Sequence, residues 1–406
     1  MNSEQLLQEA NQMKSKIIED RRTLHQYPET GFDLKKTLPY VEKRLKEMGY
    51  EPVHCGKAGL SVTVGNDKGP VFLIRGDMDG LPIHDETDLS FKSQNENMHA
   101  CGHDMHTAMM LGAAQLLKNH ESELKGTVKL MFQPAEEIFE GSLDMLENGI
   151  LENPHVDGAM MIHVMANFPL PAGSVVVSAP GVSAPAADYF EIEVQGVGCH
   201  GAMPNMGVDS ITIASHIVLA LQEINARELS IADDAVLTIG SIHAGKAQNA
   251  IADKAVLGGT LRTYNEDTRK FIKKRMQDIV QGIATTYRGK AEVVFGSGCP
   301  TLVNDQELSH AATKYTQELL GMQKAFSVEQ LQKMSGNSQS SKSTGSEDFA
   351  YVSQKVPSVM LALAAGTPQE GYKYPQHHPK VMFDEEALAS GTAVYAYVAM
   401  RYLEEH

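Results

Sequence analysis

Strands that alternate with helices, and that end in carboxylates or imidazoles, predict an α/β protein. The larger domain is expected to have a largely parallel sheet, with a smaller α+β domain inserted into it. Three observations carry this. Four short apolar runs, Val71-Phe-Leu-Ile74, 127–132 (TVKLMF), 157–162 (DGAMMI) and 357–366 (PSVMLALAAG), suit strands buried on both faces. Helical periodicity separates them at 104–119, 142–149, 308–320 and 385–404. From about 186 to 297 the pattern changes to strands with one wet face and two long helices, 209–224 and 267–288.

In chain order, residues 4–26 and 37–49 carry helical periods, separated by Pro28 and Gly31. The strand patterns LSVTVGN (60–66) and 71–77 follow, the second running into Arg75-Gly-Asp77-Met-Asp79. The run 127–132 leads to Gln133-Pro-Ala-Glu136-Glu137, the run 157–162 to His163, and the run 357–366 to a loop with His377 and His378. Between 186 and 297, the stretches 188–198, 235–245, 254–264 and 290–296 read as strands. The expected division is therefore 1–185 plus 298–406 for the catalytic domain and 186–297 for the insertion. The Ser/Gly-rich stretch 335–346 reads as a surface loop.

The chain has 406 residues, which makes two domains the default. A net charge of -16, from 35 basic and 51 acidic side chains, argues against a general nucleic-acid binder. No apolar stretch is long enough for a membrane span, and the polar start has no signal core. The four cysteines are scattered, so disulfides are not expected and the cytoplasm is the expected compartment.

The chemistry centres on His99-Ala-Cys101-Gly-His103-Asp104-Met-His106. A thiol and an imidazole two residues apart suit zinc and its neighbours, and a helix pattern begins directly after them. On its own the stretch also fits a Cys and some His at a loop-helix junction. Asp77, Asp79, Cys101, His103, Glu137, His163 and His377 all fall at or near strand ends, where α/β sheets build sites. That is more than one structural ion requires and suits two divalent ions acting on a water and a carbonyl. In the Glu136-Glu137 pair one carboxylate can bind metal while the other moves protons. The pair after Pro134 also fits, as the lesser alternative, the acidic first turn of a helix.

RGDMDGLP (75–82), MHACGHDMH (98–106), FQPAEE (132–137), IHV (162–164), GVGCHGAMP (196–204), AQNAIAD (247–253), GGTLRTY (258–264), GSEDFA (345–350) and HHPKVMF (377–383) occur in this order. Together they resemble the metal-dependent, metallopeptidase-like amidohydrolases of the aminoacylase, hippurate hydrolase and auxin-conjugate hydrolase group, over nearly the whole chain. The resemblance implies Cys101, His103, Glu137, His163 and His377 as ligands of two divalent ions (Zn, Mn, Co or Ni), with His377 preferred over His378. It implies Glu136 as general acid/base, and Asp79 as a residue orienting a ligand. Asp77 stands where more distant relatives place a ligand His.

The inserted domain resembles the group's lid, which also forms a homodimer contact. There His200 corresponds to a His that stabilises the oxyanion, and Asn249 and Arg262 to residues that grip the substrate carboxylate. Read alone, His200 is a surface imidazole beside a Gly-rich turn and Arg262 a surface charge. Ala252 stands where relatives usually have Pro, and Ile138 and Phe139 where they often have glycines. The implied reaction is hydrolysis of N-acyl amino acids by metal-activated water. The alternatives are a dipeptidase or carboxypeptidase of the same chemistry, or a non-catalytic metal-binding homologue.

Overall fold

A computed structural model describes residues 2–66, 68–335 and 342–406. They form two compact units: one holds the described residues up to Ser183, from Val303 to Ser335 and from Asp348 onward; the other holds Ala184–Leu302 and Lys342–Glu347.

The first unit opens with helix α1 (Ser3–His25), whose first turn is capped by the Asn2 side chain. Helix α2 (Thr37–Glu47) follows, then strands β1 (Val53–Cys55), β2 (Gly59–Gly65) and β3 (Val71–Asp77). Helix α3 (His103–Asn119) leads to β4 (Thr127–Gln133) and β5 (Gly158–Met165). The sheet order is β1-β2-β4-β3-β5, continued by Ser358–Ala364, Val175–Val177 and Ala325–Ser327. β4, β3, β5 and Ser358–Ala364 run parallel, and β3 and β4 are buried at every position. An antiparallel hairpin, β1-β2, closes one edge.

The three short strands, Val53–Cys55, Val175–Val177 and Ala325–Ser327, gave no sequence signal, because three residues are too few to show a period. Helices α1, α3 and Ala387–Glu405 pack on one another over the sheet. Tyr395, on the last helix, pins two strands at once: its hydroxyl donates to Arg75 O at 2.8 Å and accepts from Ile162 N at 3.0 Å. The start of α3 is fastened to α1 by Asp104, whose Oδ2 accepts from Arg21 Nε and His25 Nδ1, both at 2.9 Å. Burial alone would raise the Asp104 pKa, but Arg21 and His25 hold it well below the usual carboxylate range. His120, after the end of α3, is buried and bonded to Glu9 at 2.8 Å and Glu123 at 2.7 Å.

The second unit is an antiparallel sheet in the order Ala235–Ala244, Lys254–Thr263, Ala186–Gln195, Lys290–Cys299. Helices Ser210–Glu223 and Glu266–Thr286, capped by Asp209 and Asn265, cover one face. Phe190, Ile192, Val194, Leu257, Ile217 and Met276 form its separate core. Its boundary lies a few residues beyond the expected one because the last strand runs on to Cys299, opposite Ala187. From the 335–346 loop, residues 336–341 lie outside the described residues; Ser343 O accepts from Tyr264 Oη at 2.7 Å within the second unit. Among the described residues no helix is long and apolar enough to cross a membrane.

Candidate metal centre

The carboxyl ends of β3, β4 and β5 and the start of α3 converge. Gly102 turns the chain into α3 with φ 93°, and a Cβ there would come within 2.4 Å of Val164 Cγ2. Only glycine lets the Cys101–His103 bend lie this close to β5. After β4, the acid pair does not start a helix: residues 136–139 form a turn and the next helix begins at Gly141. The turn is tight, with Phe139 N donating to Glu136 O at 2.8 Å. A Cβ on Gly141 would meet Pro134 O at 1.6 Å. Ala135 and Phe139 adopt φ 55° and 56°, which costs a non-glycine residue about 1–2 kcal/mol each. This gives a physical reason for glycine in relatives where this chain has Phe139.

Asp79 holds the acid pair from behind. Its Oδ1 accepts from Glu136 N at 3.1 Å and its Oδ2 from Glu137 N at 3.3 Å. His377, also at positive φ (65°), donates its N–H to Ala100 O at 2.9 Å, tying its loop to the Cys101 bend.

These constraints bring Cys101, His103, Glu136, Glu137, His163 and His377 together. Cys101 Sγ lies 3.5 Å from His163 Nε2. His103 Nε2 lies 3.7 Å from Glu137 Oε1 and 3.9 Å from Glu136 Oε2. Glu137 Oε1 lies 3.6 Å from His377 Nε2. The ligand atoms fall into overlapping groups, Cys101-His103-His163 and Cys101-Glu137-His377. Both nitrogens of His103 and Oε1 of Glu137 are buried and form no hydrogen bond, although His103 Nδ1 is 3.4 Å from Asp79 Oδ1. Buried polar atoms left so are costly unless something else satisfies them. A thiol, imidazoles and a carboxylate aimed at one another fit a borderline divalent cation.

Burial sets the protonation of this cluster. It raises Cys101 well above the usual thiol value, helped by the Glu137 carboxylate. Glu137 is pushed up to about 7 by burial and by Asp79 and Asp77, with His103 opposing. Burial and the His106 ring take His163 down to about 3, so its imidazole is neutral. Burial and His103 lower His377.

Asp77 is committed elsewhere. Arg75 Nη1 donates to its Oδ2 at 2.7 Å and His106 Nδ1 lies 2.6 Å from its Oδ1. His106 was not singled out in the sequence. The available signal was its place three residues after His103, on the same helix face.

In the second unit, Gly201 N donates to Asn249 O at 2.8 Å, and His200 pairs with Ala250 in a two-stranded ribbon. The structure thus brings His200 and Asn249 together, both exposed. Arg262 Nη1 donates to Ser346 Oγ at 2.9 Å. Ala252, in place of the relatives' Pro, is still held, its carbonyl accepting from Ser210 Oγ at 3.0 Å.

The profile described as "Peptidase family M20/M25/M40" matches residues 73–401. The chain is 35% identical over 395 residues to N-acetylcysteine deacetylase of Bacillus subtilis, covering 96% of this chain and 97% of that one. It is 33% identical to thermostable carboxypeptidase 1 of Saccharolobus solfataricus, covering 98% of each. The solved structure of Bacillus subtilis YXEP, described as a dinuclear metal-binding peptidase of the M20 family, superposes with a TM-score of 0.77 at 32% identity, covering 97% of this chain and 99% of that one. With the profile spanning most of its length and relatives matching nearly end to end, the chain belongs to peptidase family M20/M25/M40 and is a hydrolase.

Proposed function

We propose that this hydrolase cleaves the amide bond of N-acyl amino acids, releasing a carboxylate and a free amino acid. The observation that carries this is the placement of Glu136 beside Glu137, both facing His103 Nε2, with Asp79 gripping their backbone. The likeness to a relative named a deacetylase supports the acyl-amino-acid class.

Cys101, His103, Glu137, His163 and His377 would hold two divalent ions. When bound, such ions supply Lewis acidity, lowering the pKa of water and polarising a carbonyl. The chain's own residues then handle protons and orientation. Glu136 takes a proton from the attacking water as its oxygen bonds to the acyl carbon. The C–N bond breaks, and Glu136 delivers that proton to the leaving nitrogen, which departs as an amine. His200 donates to the oxyanion, while Asn249 and Arg262 hold the free carboxylate. The second unit acts as lid and as homodimer contact; its exposed Ile211 and Leu219 on one helix, and Val236 and Ile242 on the edge strand, support the latter.

The test is Glu136→Gln. Turnover of an N-acetyl amino acid falls ~10²–10⁴-fold with metal content unchanged; full activity would remove the role. A carboxypeptidase reading is favoured by the carboxypeptidase relative. A panel of N-acetyl and N-benzoyl amino acids against peptides separates the two by kcat/KM.

A further inference from the structure

We propose that His106 is a positioning residue, which with Asp77 clamps the Val164 N–H and so holds in place the Val164 carbonyl that fixes the tautomer and ring orientation of His163. This rests on the metal-centre reading above. The argument begins where two strands part. β3 pairs with β5 only from Phe72 opposite Gly158 to Arg75 opposite Met161. Beyond that point β3 stays with β4, through Asp77 opposite Gln133, and no longer borders β5. The His106 ring fills the opening. Val164 N, which would have sought a strand partner, donates to His106 Nε2 at 2.8 Å.

That bond fixes the chemistry of the ring. A backbone N–H can only donate, so Nε2 carries no proton. Nδ1 must then carry it, and donates to Asp77 Oδ1 at 2.6 Å. Asp77 is itself held by Arg75 Nη1 at 2.7 Å, and Thr107 Oγ1 donates to Asp77 O at 2.8 Å. Both nitrogens of His106 are therefore committed. Although Asp77, His103 and His106 lie close enough to suggest an ion, this ring has no lone pair left for one.

The carbonyl of the same residue, in the next peptide group along the chain, meets the ligand. His163 Nδ1 lies 2.7 Å from Val164 O, and a carbonyl can only accept, so Nδ1 carries the proton and Nε2 offers its lone pair beside Cys101. Gln376 Nε2 donates to that carbonyl too, at 3.0 Å, from the residue before His377. The two peptide groups that flank Val164 thus link His106, His163 and the His377 loop. The His106 ring also wedges between two ligand rings, stacked on His103 at 5.4 Å between centroids and edge-on to His163 at 4.8 Å. Outer groups that fix a ligand imidazole in this way tune metal affinity.

The test uses the metal-stripped chain titrated with zinc by calorimetry. His106→Phe keeps a ring in the wedge and removes both hydrogen bonds. His106→Gln can again accept from Val164 N. Zinc binding weakens ~10–100-fold in the Phe variant and partly recovers in the Gln variant. Wild-type affinity in a folded Phe variant overturns the clamp. A measurement on the wild-type chain, with ¹⁵N-labelled histidine, decides the matter even where the variants do not fold. Zinc shifts the resonances of His103, His163 and His377 to coordinated values, and a further imidazole keeps a neutral Nδ1–H form throughout. A fourth coordinated imidazole overturns the clamp. Failure of the wild-type chain to bind zinc overturns the metal-centre reading itself, and the clamp with it.

Discussion

The two units place their candidate residues in opposite physical settings. In the first, Cys101, His103 and Glu136 are buried, the backbone around them is bent into left-handed conformations, and Asp79 and His106 lock their neighbours. In the second, His200 is exposed on a two-stranded ribbon, and Asn249, also exposed, lies in the turn just before the ribbon's other strand. Burial lets the first unit set protonation states before anything binds. Exposure suits groups that must meet a substrate and release it. In the proposed reading, ligand geometry is stored in the first unit, and recognition is left to side chains that water still reaches.

The comparison can be broken at three points. The largest effect expected is the pH dependence of metal loading, which belongs to the first unit. A metal takes Glu137 as carboxylate, Cys101 as thiolate and His103, which Asp77 and Asp79 hold well above the usual imidazole range against the effect of burial, as neutral imidazole, while His163, lowered to about 3, is already neutral and releases no proton. Below about pH 7 loading displaces protons from Glu137, Cys101 and His103, so affinity rises roughly 1000-fold per pH unit; above it, with Glu137 already ionised, the rise is roughly 100-fold per unit. Calorimetry in buffers of different ionisation heat reads the protons directly, and a flat affinity would show that these groups are not ligands. Next comes Arg262→Ala in the second unit. Loss of a charged clamp of about 1.5–3 kcal/mol lowers kcat/KM by roughly 10–100-fold, mostly through KM, and leaves zinc affinity unchanged. A variant that lost metal instead would erase the division of labour. The smallest effect on chemistry is expected from Leu219→Asp, which puts a charge on the exposed helix face. On the proposed lid contact, wild type sediments as a dimer and the variant as a monomer, while zinc binding in the first unit stays as before; a variant that sediments like wild type would remove this contact.

Much of the fold was legible because β3, β4, β5 and Ser358–Ala364 are buried on both faces and so read as continuous apolar runs. The ligand-type residues were legible because each sits directly after one of these runs, where parallel sheets end. His106 was not legible as a positioning group. It lies in the same motif as His103, and nothing in the order of residues distinguishes an imidazole facing an ion from one turned toward a diverging strand. The helix-start alternative for Glu136-Glu137 was likewise undecidable from Pro-Ala-Glu-Glu, until the positive φ of Ala135 and the backing by Asp79 made the pair a turn.

The sequence by itself determined the alternation of elements, the carboxylates and imidazoles at strand ends and the family, because periodicity, chemistry and motif order are local properties of a chain. Only the tertiary structure decided which of those groups face one another, which tautomer each imidazole holds and how far burial moves each pKa. Those depend on through-space distances between residues as far apart as His106 and Val164, or Glu137 and His377. They depend also on the exclusion of water, which no single stretch of chain accomplishes alone.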